Sequence, residues 1–491
     1  MRLLFVLGFS ALCATANAEE PPKVDPPSPV PPKAYAKEAR PEIRLADPNE
    51  PTGKGRFEFG SYGRVSVASD LRGGTGRSTN IVSHGPRIDE ESYTEFELRR
   101  EDEWSSGFHT RVVTSLALFA PFFHFSGSLD QRVGVRNLYA QASAKNWSLW
   151  AGSRMYRGDD IYLLNWWPLD NQNTMGAGGS YRIDHGQSDT TIALHAGMQR
   201  LDNAFQAQQI QSPIPFGITS MAVTVLDRPR TIETFKFTHV MRGSDARPVL
   251  GNANGGLKFI GYVEAHQLPA GSFRDTTLQQ DKPLPSDWGF LVGGQVTFYT
   301  GKRDTYASLF VRHARGVAAY DPLAVPSTFA FDRTTQGTAE TQVALATNIE
   351  LGPITLPMAA YLRWFRDASP TETSLYKYDE GAIVARPHVF FSDHWGIAIE
   401  GSYQLRRHAF LDTKSGGPLT SSILKGGIIP FFSPAGRGTF KRPQFRLIYN
   451  VTSRNEGARS LYPQDDAFAS RAVEHFLGAG AEWWFNFSSY P

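Results

Sequence analysis

Hydrophobic and polar residues alternate with a period of two along much of the chain from Phe57 onward. In the stretch FEFGSYGRVSV one face carries four apolar residues: Phe57, Phe59, Val65 and Val67. The same alternation recurs in SYTEFELRR, HWGIAIEGSYQLRR, KRPQFRLIYNV and EWWFNF. Because successive side chains of a strand point to opposite faces, the pattern predicts many β-strands, each with one apolar and one polar face.

The polar faces of these strands combine arginine, glutamate and large aromatic residues, as in Tyr93, Glu95 and Arg99. A soluble β-sandwich also alternates, but its polar face meets bulk water. Mixed faces of this kind are more typical of the water-filled lumen of a membrane barrel. We therefore expect an all-β protein, a transmembrane antiparallel β-barrel of about 18 strands.

Short turns and long loops alternate between the predicted strands, as an outer-membrane barrel requires. The predicted turns are Ser105-Gly107, Lys145-Asn146, Gly301-Arg303, Gly352-Pro353 and Ser392-Asp393. The predicted long loops cover roughly residues 70–88, 157–173, 200–229, 267–286, 317–335, 407–417 and 454–470. Two places depart from this alternation of turns and loops. The Arg242–Gly256 connection is long for a turn, and Met221–Leu226 fits either a strand or part of a loop.

The chain before Phe57 lacks this pattern and divides into two parts. Residues 1–18 resemble a secretory signal peptide, with Arg2, an apolar stretch and the cleavage-site sequence Ala16-Asn17-Ala18. Residues 19–56 form a proline-rich linker that we expect in the periplasm. The predicted divisions are thus 1–18, 19–56, a barrel over 57–487 and a C-terminal tail over 488–491.

Composition excludes several other functions. The 50 Lys and Arg residues nearly balance the 48 Asp and Glu residues, which argues against a nucleic-acid partner. The single cysteine, Cys13, lies in the predicted signal peptide, so disulfides and thiolate metal sites are not expected. The chain has no G-x-S-x-G motif, and its 12 histidines show no metal-ligand spacing. We expect no enzyme activity, no cofactor and no metal.

The stretch from Trp150 to Asp170, WAGSRMYRGDDIYLLNWWPLD, begins as a strand and continues as a loop rich in aromatic and acidic residues. A long exposed loop rarely carries so many aromatic residues. We expect this loop to fold into the barrel and form the constriction of the pore. Its three carboxylates, Asp159, Asp160 and Asp170, face two arginines, and this mixture favours a neutral solute over an anion.

The chain resembles the maltoporin family of sugar-specific porins over about residues 57–485. Four stretches carry the resemblance: FGSYGR, WAGSRMYRGDDIYLLNWWPLDNQNTMGAG, FKRPQFRLIYNVTS and FLGAGAEWWF. The resemblance implies a trimeric barrel in the outer-membrane lipid that passes carbohydrates along a path of lumenal aromatic residues. It does not identify the sugar.

The resemblance also implies roles for individual residues. Tyr62, Tyr93 and Trp484 match aromatic positions of the path, while Phe440 and Tyr306 replace other aromatics, and Trp167 stands at the constriction tyrosine. Six residues match charged positions beside the path: Arg64, Arg87, Glu95, Arg136, Asp160 and Asp170. Three positions depart from the family pattern, where Asn165 replaces an aspartate, Tyr162 a histidine and Gly158 an arginine. The loop over 120–132 lacks the tryptophan that family members lend to a neighbouring subunit.

Three alternatives to a carbohydrate porin remain open from the sequence. The first is a less selective diffusion porin for small solutes and ions. The second is an outer-membrane enzyme, which would need a nucleophile beside a general base. The third is a soluble secreted β protein.

Overall fold

The computed structural model describes residues 55–119, 133–199, 207–213, 220–226, 228–275, 277–300, 305–320 and 326–487. The predicted signal peptide, the linker up to residue 54 and the C-terminal tail lie outside these residues, as do the loop over 120–132 and the predicted turn Gly301-Arg303. No helix in the described ranges has the length and apolar character needed to cross a membrane.

Almost all of the regular structure is β-strand. The strands are β1 (Arg56–Ser69), β2 (Tyr93–Glu103), β3 (His109–Phe119), β4 (Val133–Ala144), β5 (Trp147–Arg157), β6 (Asn171–Asp184), β7 (Ser188–Gln199), β8 (Ala207–Pro213), β9 (Ser220–Leu226), β10 (Arg230–Arg242), β11 (Gly255–Leu268), β12 (Gly271–Asp275), β13 (Gln280–Leu284), β14 (Asp287–Thr300), β15 (Thr305–Gly316), β16 (Ala339–Leu351), β17 (Ile354–Arg366), β18 (Tyr378–Ala385), β19 (His388–Phe390), β20 (Trp395–Leu411), β21 (Pro418–Phe432), β22 (Gln444–Arg454) and β23 (Val473–Phe485). The helical segments are two 3₁₀ turns, Tyr162–Leu164 and Val317–Ala319, and two short α-helices, Glu456–Arg459 and Ala467–Ser470.

Nineteen of these strands form one antiparallel sheet that closes on itself. The closure joins β1 to β23, with Ser61 opposite Phe485 and Ser69 opposite Leu477. Both β18 and β19 lie between β17 and β20, so together they fill one position in the wall. The wall therefore has eighteen positions, which confirms the predicted barrel and its strand number. Closure leaves no open sheet edge, as a membrane-spanning sheet requires.

The remaining strands form two hairpins within long loops. One hairpin pairs β8 with β9, and the other pairs β12 with β13. Met221–Leu226 therefore belongs to a loop rather than to the barrel wall. The long Arg242–Gly256 connection is also ordered, because it contains two isolated bridges, Ser244 with Arg247 and Val249 with Asn252.

The two faces of the wall divide as the alternation predicts. Outward positions carry exposed apolar side chains, including Phe59, Val67, Leu98 and Trp395. Inward positions on the same strands carry buried polar groups. One terminal residue differs from expectation: the alternation in EWWFNF places Phe487 on the same face as Trp483 and Phe485, but Phe487 is buried. The strand ends at Phe485 and Asn486 takes a left-handed φ of 47°, so the alternation does not extend to Phe487.

A hydrophobic cluster lies inside the barrel, which is unusual for a water-filled lumen. It joins apolar side chains of two loops, residues 70–92 (the first loop) and residues 158–170 (the infolded loop). These side chains pack on inward-facing alanines of four neighbouring strands: Ala314, Ala344, Ala346, Ala359 and Ala382. Small residues at these positions leave room for the loops, so both loops are held against the β15–β18 side of the lumen.

Candidate functional site

The infolded loop is closed on itself at its base and at its tip. At the base, the Gly158 amide donates a 2.7 Å hydrogen bond to the Asp170 carbonyl. At the tip, the Ile161 amide donates to the Trp166 carbonyl at 2.7 Å, around a 3₁₀ turn that ends with Asn165 at a φ of 47°. Asparagine tolerates this left-handed conformation better than most residues. The loop therefore presents fixed side chains to the lumen.

Contacts with the first loop and with the wall hold the infolded loop against β14–β18. Trp166 stacks on His84 of the first loop, with ring centroids 4.1 Å apart. Leu169 lies so close to Gly293 of β14 that a Cβ added to this glycine would be 2.5 Å from Leu169 Cδ2. Arg312 of β15 donates a 3.0 Å hydrogen bond to the Pro168 carbonyl.

A ladder of alternating charges lines the same wall. Five wall positions in succession contribute one group each: Arg312, Glu340, Arg363, Glu380 and Arg406. Each glutamate lies between two arginines, at N···O distances from 2.5 to 3.4 Å. Arg363 also donates a 2.6 Å hydrogen bond to the Ser83 hydroxyl. The ladder therefore anchors the first loop as well as pairing its own charges.

Six aromatic side chains form a continuous track through the lumen. Consecutive ring centroids are 6.1, 6.4, 6.2, 5.6 and 6.3 Å apart in the order Tyr93, Tyr62, Trp484, Tyr162, Phe440 and Tyr306. Tyr93 begins β2 at the long-loop end, whereas Tyr306 lies at the start of β15, at the short-turn end. All five aromatics expected in a path are thus brought together, although Phe440 lies in the connection before β22 rather than on a strand. Tyr162, expected among the polar groups, also bridges Trp484 and Phe440 with its ring.

A carboxylate surrounded by three arginines lies beside the middle of the track. Glu482 pairs with Arg87 at 3.0 Å, Arg442 at 2.7 Å and Arg446 at 2.5 Å. The Tyr162 hydroxyl donates to the same carboxylate at 2.8 Å. Glu482, Arg442 and Arg446 were not among the expected site residues, although alternation predicts all three on the polar faces of strands. In the structure Arg442 lies just before β22, which begins at Gln444.

The charged positions near Tyr93 form a second group. Glu90 pairs with Arg64 and Arg87, each at 2.7 Å, and accepts a 2.7 Å hydrogen bond from Asn165. Glu90 was missed because it lies in a loop without a strand pattern.

Glu95, next along β2, accepts a hydrogen bond from the Tyr93 hydroxyl. Arg136 and Arg157 approach the same carboxylate at 4.0 and 3.7 Å. Five expected residues therefore lie beside the Tyr93 end of the track: Arg64, Arg87, Glu95, Arg136 and Asn165.

The acidic residues of the infolded loop have three different environments. Asp159 pairs with Lys258 and accepts a 2.5 Å hydrogen bond from Gln295, while Asp170 pairs with Lys236 at 2.9 Å. Asp160 forms no ion pair with a described residue, and its side chain is open to the lumen although protein surrounds it. The surrounding protein limits the hydration of this exposed loop carboxyl and raises its pKa to about 6, with Arg87 opposing the shift and Asp159 adding to it.

Trp167 does not join the aromatic track. It is buried, and the Arg157 guanidinium lies 4.0 Å from its ring centroid. Of the adjacent tryptophans, Trp166 packs against Tyr361 of β17, while Trp167 supports an arginine that faces Glu95.

Comparison with known proteins gives a match to one family. The family model described as LamB porin matches residues 57–485. No protein of curated function matches the chain.

Among solved structures, OccK2 (OpdF) of Pseudomonas aeruginosa in complex with glucuronate is 12% identical, covering 88% of this chain and 98% of its own, with a TM-score of 0.39. OmpT of Vibrio cholerae in its trimer form is 12% identical, covering 88% and 99%, with a TM-score of 0.36. Wzi of Escherichia coli, a carbohydrate-binding β-barrel involved in capsule assembly, is 10% identical, covering 87% and 85%, with a TM-score of 0.38.

Proposed function

Because the chain belongs to the LamB porin family, we propose that this outer-membrane porin transports carbohydrates by facilitated diffusion along its aromatic track. The single observation that carries the proposal is the continuity of six rings from one end of the lumen to the other. A general diffusion pore needs an open, wet channel but has no need for such a series.

The chemistry of a sugar fits this arrangement. A pyranose has a face of C–H groups and a rim of hydroxyls, and a flat aromatic ring offers apolar surface to that face. The arginines and carboxylates around Glu482 and Glu90 supply donors and acceptors for the rim. The rings therefore suit the C–H face of the sugar, and the charged groups beside them suit its hydroxyl rim.

Transport also requires that binding be weak. Each sugar hydrogen bond replaces one with water, so its net contribution is on the order of 1 kcal/mol. Consecutive ring centroids are 5.6 to 6.4 Å apart, so a solute at one ring always has the next ring close by. A solute can then move from ring to ring without a deep minimum, as conduction requires.

The proposal is tested by conductance of the purified porin in planar bilayers. Titrated oligosaccharides should block the ion current saturably, and affinity should rise with chain length until the track is filled. If no oligosaccharide in a broad panel blocks the current, the carbohydrate function is wrong and the less selective diffusion porin replaces it.

We also propose that the porin is a homotrimer, as the family resemblance implies. Mass photometry in detergent should give three times the mass of one chain. A monomer mass under mild extraction would overturn this assignment.

A further inference from the structure

A cavity of about 540 Å³ lies in the lumen against β4–β7, β10 and β11, on a different part of the wall from the aromatic track. This volume is in the range of small-molecule sites. Its lining includes three cations, Arg154, Arg157 and Lys236, but one carboxylate, Asp170. The lining is therefore positive, in contrast to the charge balance expected for the constriction stretch as a whole.

Arg154 is the cation that stands out in this lining. Its guanidinium carbon lies 4.8 Å from the Tyr139 ring centroid and 5.2 Å from those of Trp150 and Tyr156. Among the described residues it has neither a carboxylate within ion-pair distance nor a hydrogen-bond acceptor. The other two cations differ, because Lys236 is paired with Asp170 at 2.9 Å and Arg157 approaches Glu95 at 3.7 Å.

Three rings thus fix the guanidinium in place while its N–H groups remain available. A planar fork held in this way can bind a carboxylate through two parallel hydrogen bonds, with little loss of side-chain entropy. Cation–π contact orients the arginine but does not neutralise its charge.

A second polar group in the same cavity lacks a partner. The Tyr156 hydroxyl is buried and makes no hydrogen bond in the described structure. Its ring is held by stacking on His195, with centroids 4.4 Å apart, and by edge contact with Trp150 at 5.1 Å. A buried hydroxyl without a partner is costly. A ligand oxygen beside Arg154 would satisfy it.

We propose that this cavity is a subsite for a saccharide that carries a carboxylate, such as a hexuronic acid residue. The carboxylate binds the Arg154 guanidinium and accepts a hydrogen bond from Tyr156. Gln141 and Thr238 also line the cavity and can bond the sugar hydroxyls. The inference rests on the proposed carbohydrate function and narrows it, because the porin then favours acidic over neutral sugars.

Current block in planar bilayers tests the subsite, with digalacturonic acid and its neutral digalactose counterpart as probes. In the unmodified porin the acid should bind about tenfold more tightly than the neutral sugar, the size expected for one charge-assisted contact. Arg154→Gln should remove this preference and leave block by the neutral sugar unchanged. Tyr156→Phe should weaken acid binding about threefold, since only the hydroxyl is lost.

Arg182→Gln is the matched control, because it removes the same charge from an exposed arginine at the short-turn end of β6. It should retain the preference for the acid. Heat-modifiable migration in gels confirms that each variant folds. Equal block by both probes, or a preference that survives Arg154→Gln, overturns the subsite while the proposed function stands. If neither probe blocks the current although other oligosaccharides of the panel do, the subsite fails and the proposed function stands. If no oligosaccharide blocks the current, both fail.

Discussion

The Tyr162 hydroxyl donates a 2.8 Å hydrogen bond to the Glu482 carboxylate, which joins the tip of the infolded loop to the last strand of the barrel. The same hydroxyl accepts a 2.6 Å hydrogen bond from Arg442. One phenol therefore both belongs to the aromatic track and fastens the loop across the lumen.

Replacing this phenol by phenylalanine separates the two roles. Tyr162→Phe keeps the ring in the track but removes hydrogen bonds to charged groups, worth about 1.5–3 kcal/mol. The loop tip should move more, so open-channel current noise and hydrogen exchange over residues 161–166 should increase. Sugar block should fall less than threefold, and a complete loss of block would show that the hydroxyl itself binds the solute.

Truncation of Trp484 should weaken sugar binding more than any change at the lipid face. The indole lies between Tyr62 and Tyr162, so Trp484→Ala interrupts the track at its middle. Loss of stacking should weaken current block about tenfold, on the scale of an aromatic contact and its buried area. Trp395→Ala removes an outward-facing indole and serves as the control. Equal effects of the two changes would contradict the track.

Glu482 should be essential to the stability of the barrel. Glu482→Gln leaves Arg87, Arg442 and Arg446 close together without their common counter-ion. Removal of one partner from a buried ion pair costs about 3–5 kcal/mol. The unfolding midpoint, followed by heat-modifiable migration, should therefore fall. Glu372→Gln, at an exposed loop position, should leave the midpoint unchanged.

The conductance should respond to pH through Asp160. Its pKa of about 6 means that the carboxyl is charged at neutral pH and becomes neutral as the pH falls through 6. Because a negative charge in the lumen attracts cations, cation selectivity should decrease between pH 7 and 5. Reversal potentials in a KCl gradient measure this change. Asp160→Asn should behave at pH 7 as the unmodified porin does at pH 5, and a titration that persists in this variant would assign the effect to another group.

The wall of the barrel could be predicted from sequence because a strand's two faces follow from alternation alone. This is why Tyr62, Tyr93 and Trp484 were expected in the lumen, and why the strand number was confirmed. The expected loop limits were close as well, although β20 continues to Leu411 and shortens the loop predicted from residue 407.

Contacts across the lumen could not be predicted in the same way. Arg87 and Glu482 are 395 residues apart in the chain and meet only when the sheet closes and the first loop folds inward. The position of Trp167 depends likewise on Arg157, which covers its ring. Alternation reports which face a side chain occupies, but loops have no period from which their inward packing could be read.

The alanines on β15–β18 bear on how the selectivity of such a pore can change. The number of strands sets the diameter of the barrel, but these small side chains leave a recess in the lumen that the two loops fill. The free cross-section is therefore set independently of strand pairing. A change in the sequence of these two loops would alter which solutes pass, while every strand of the wall kept its neighbours.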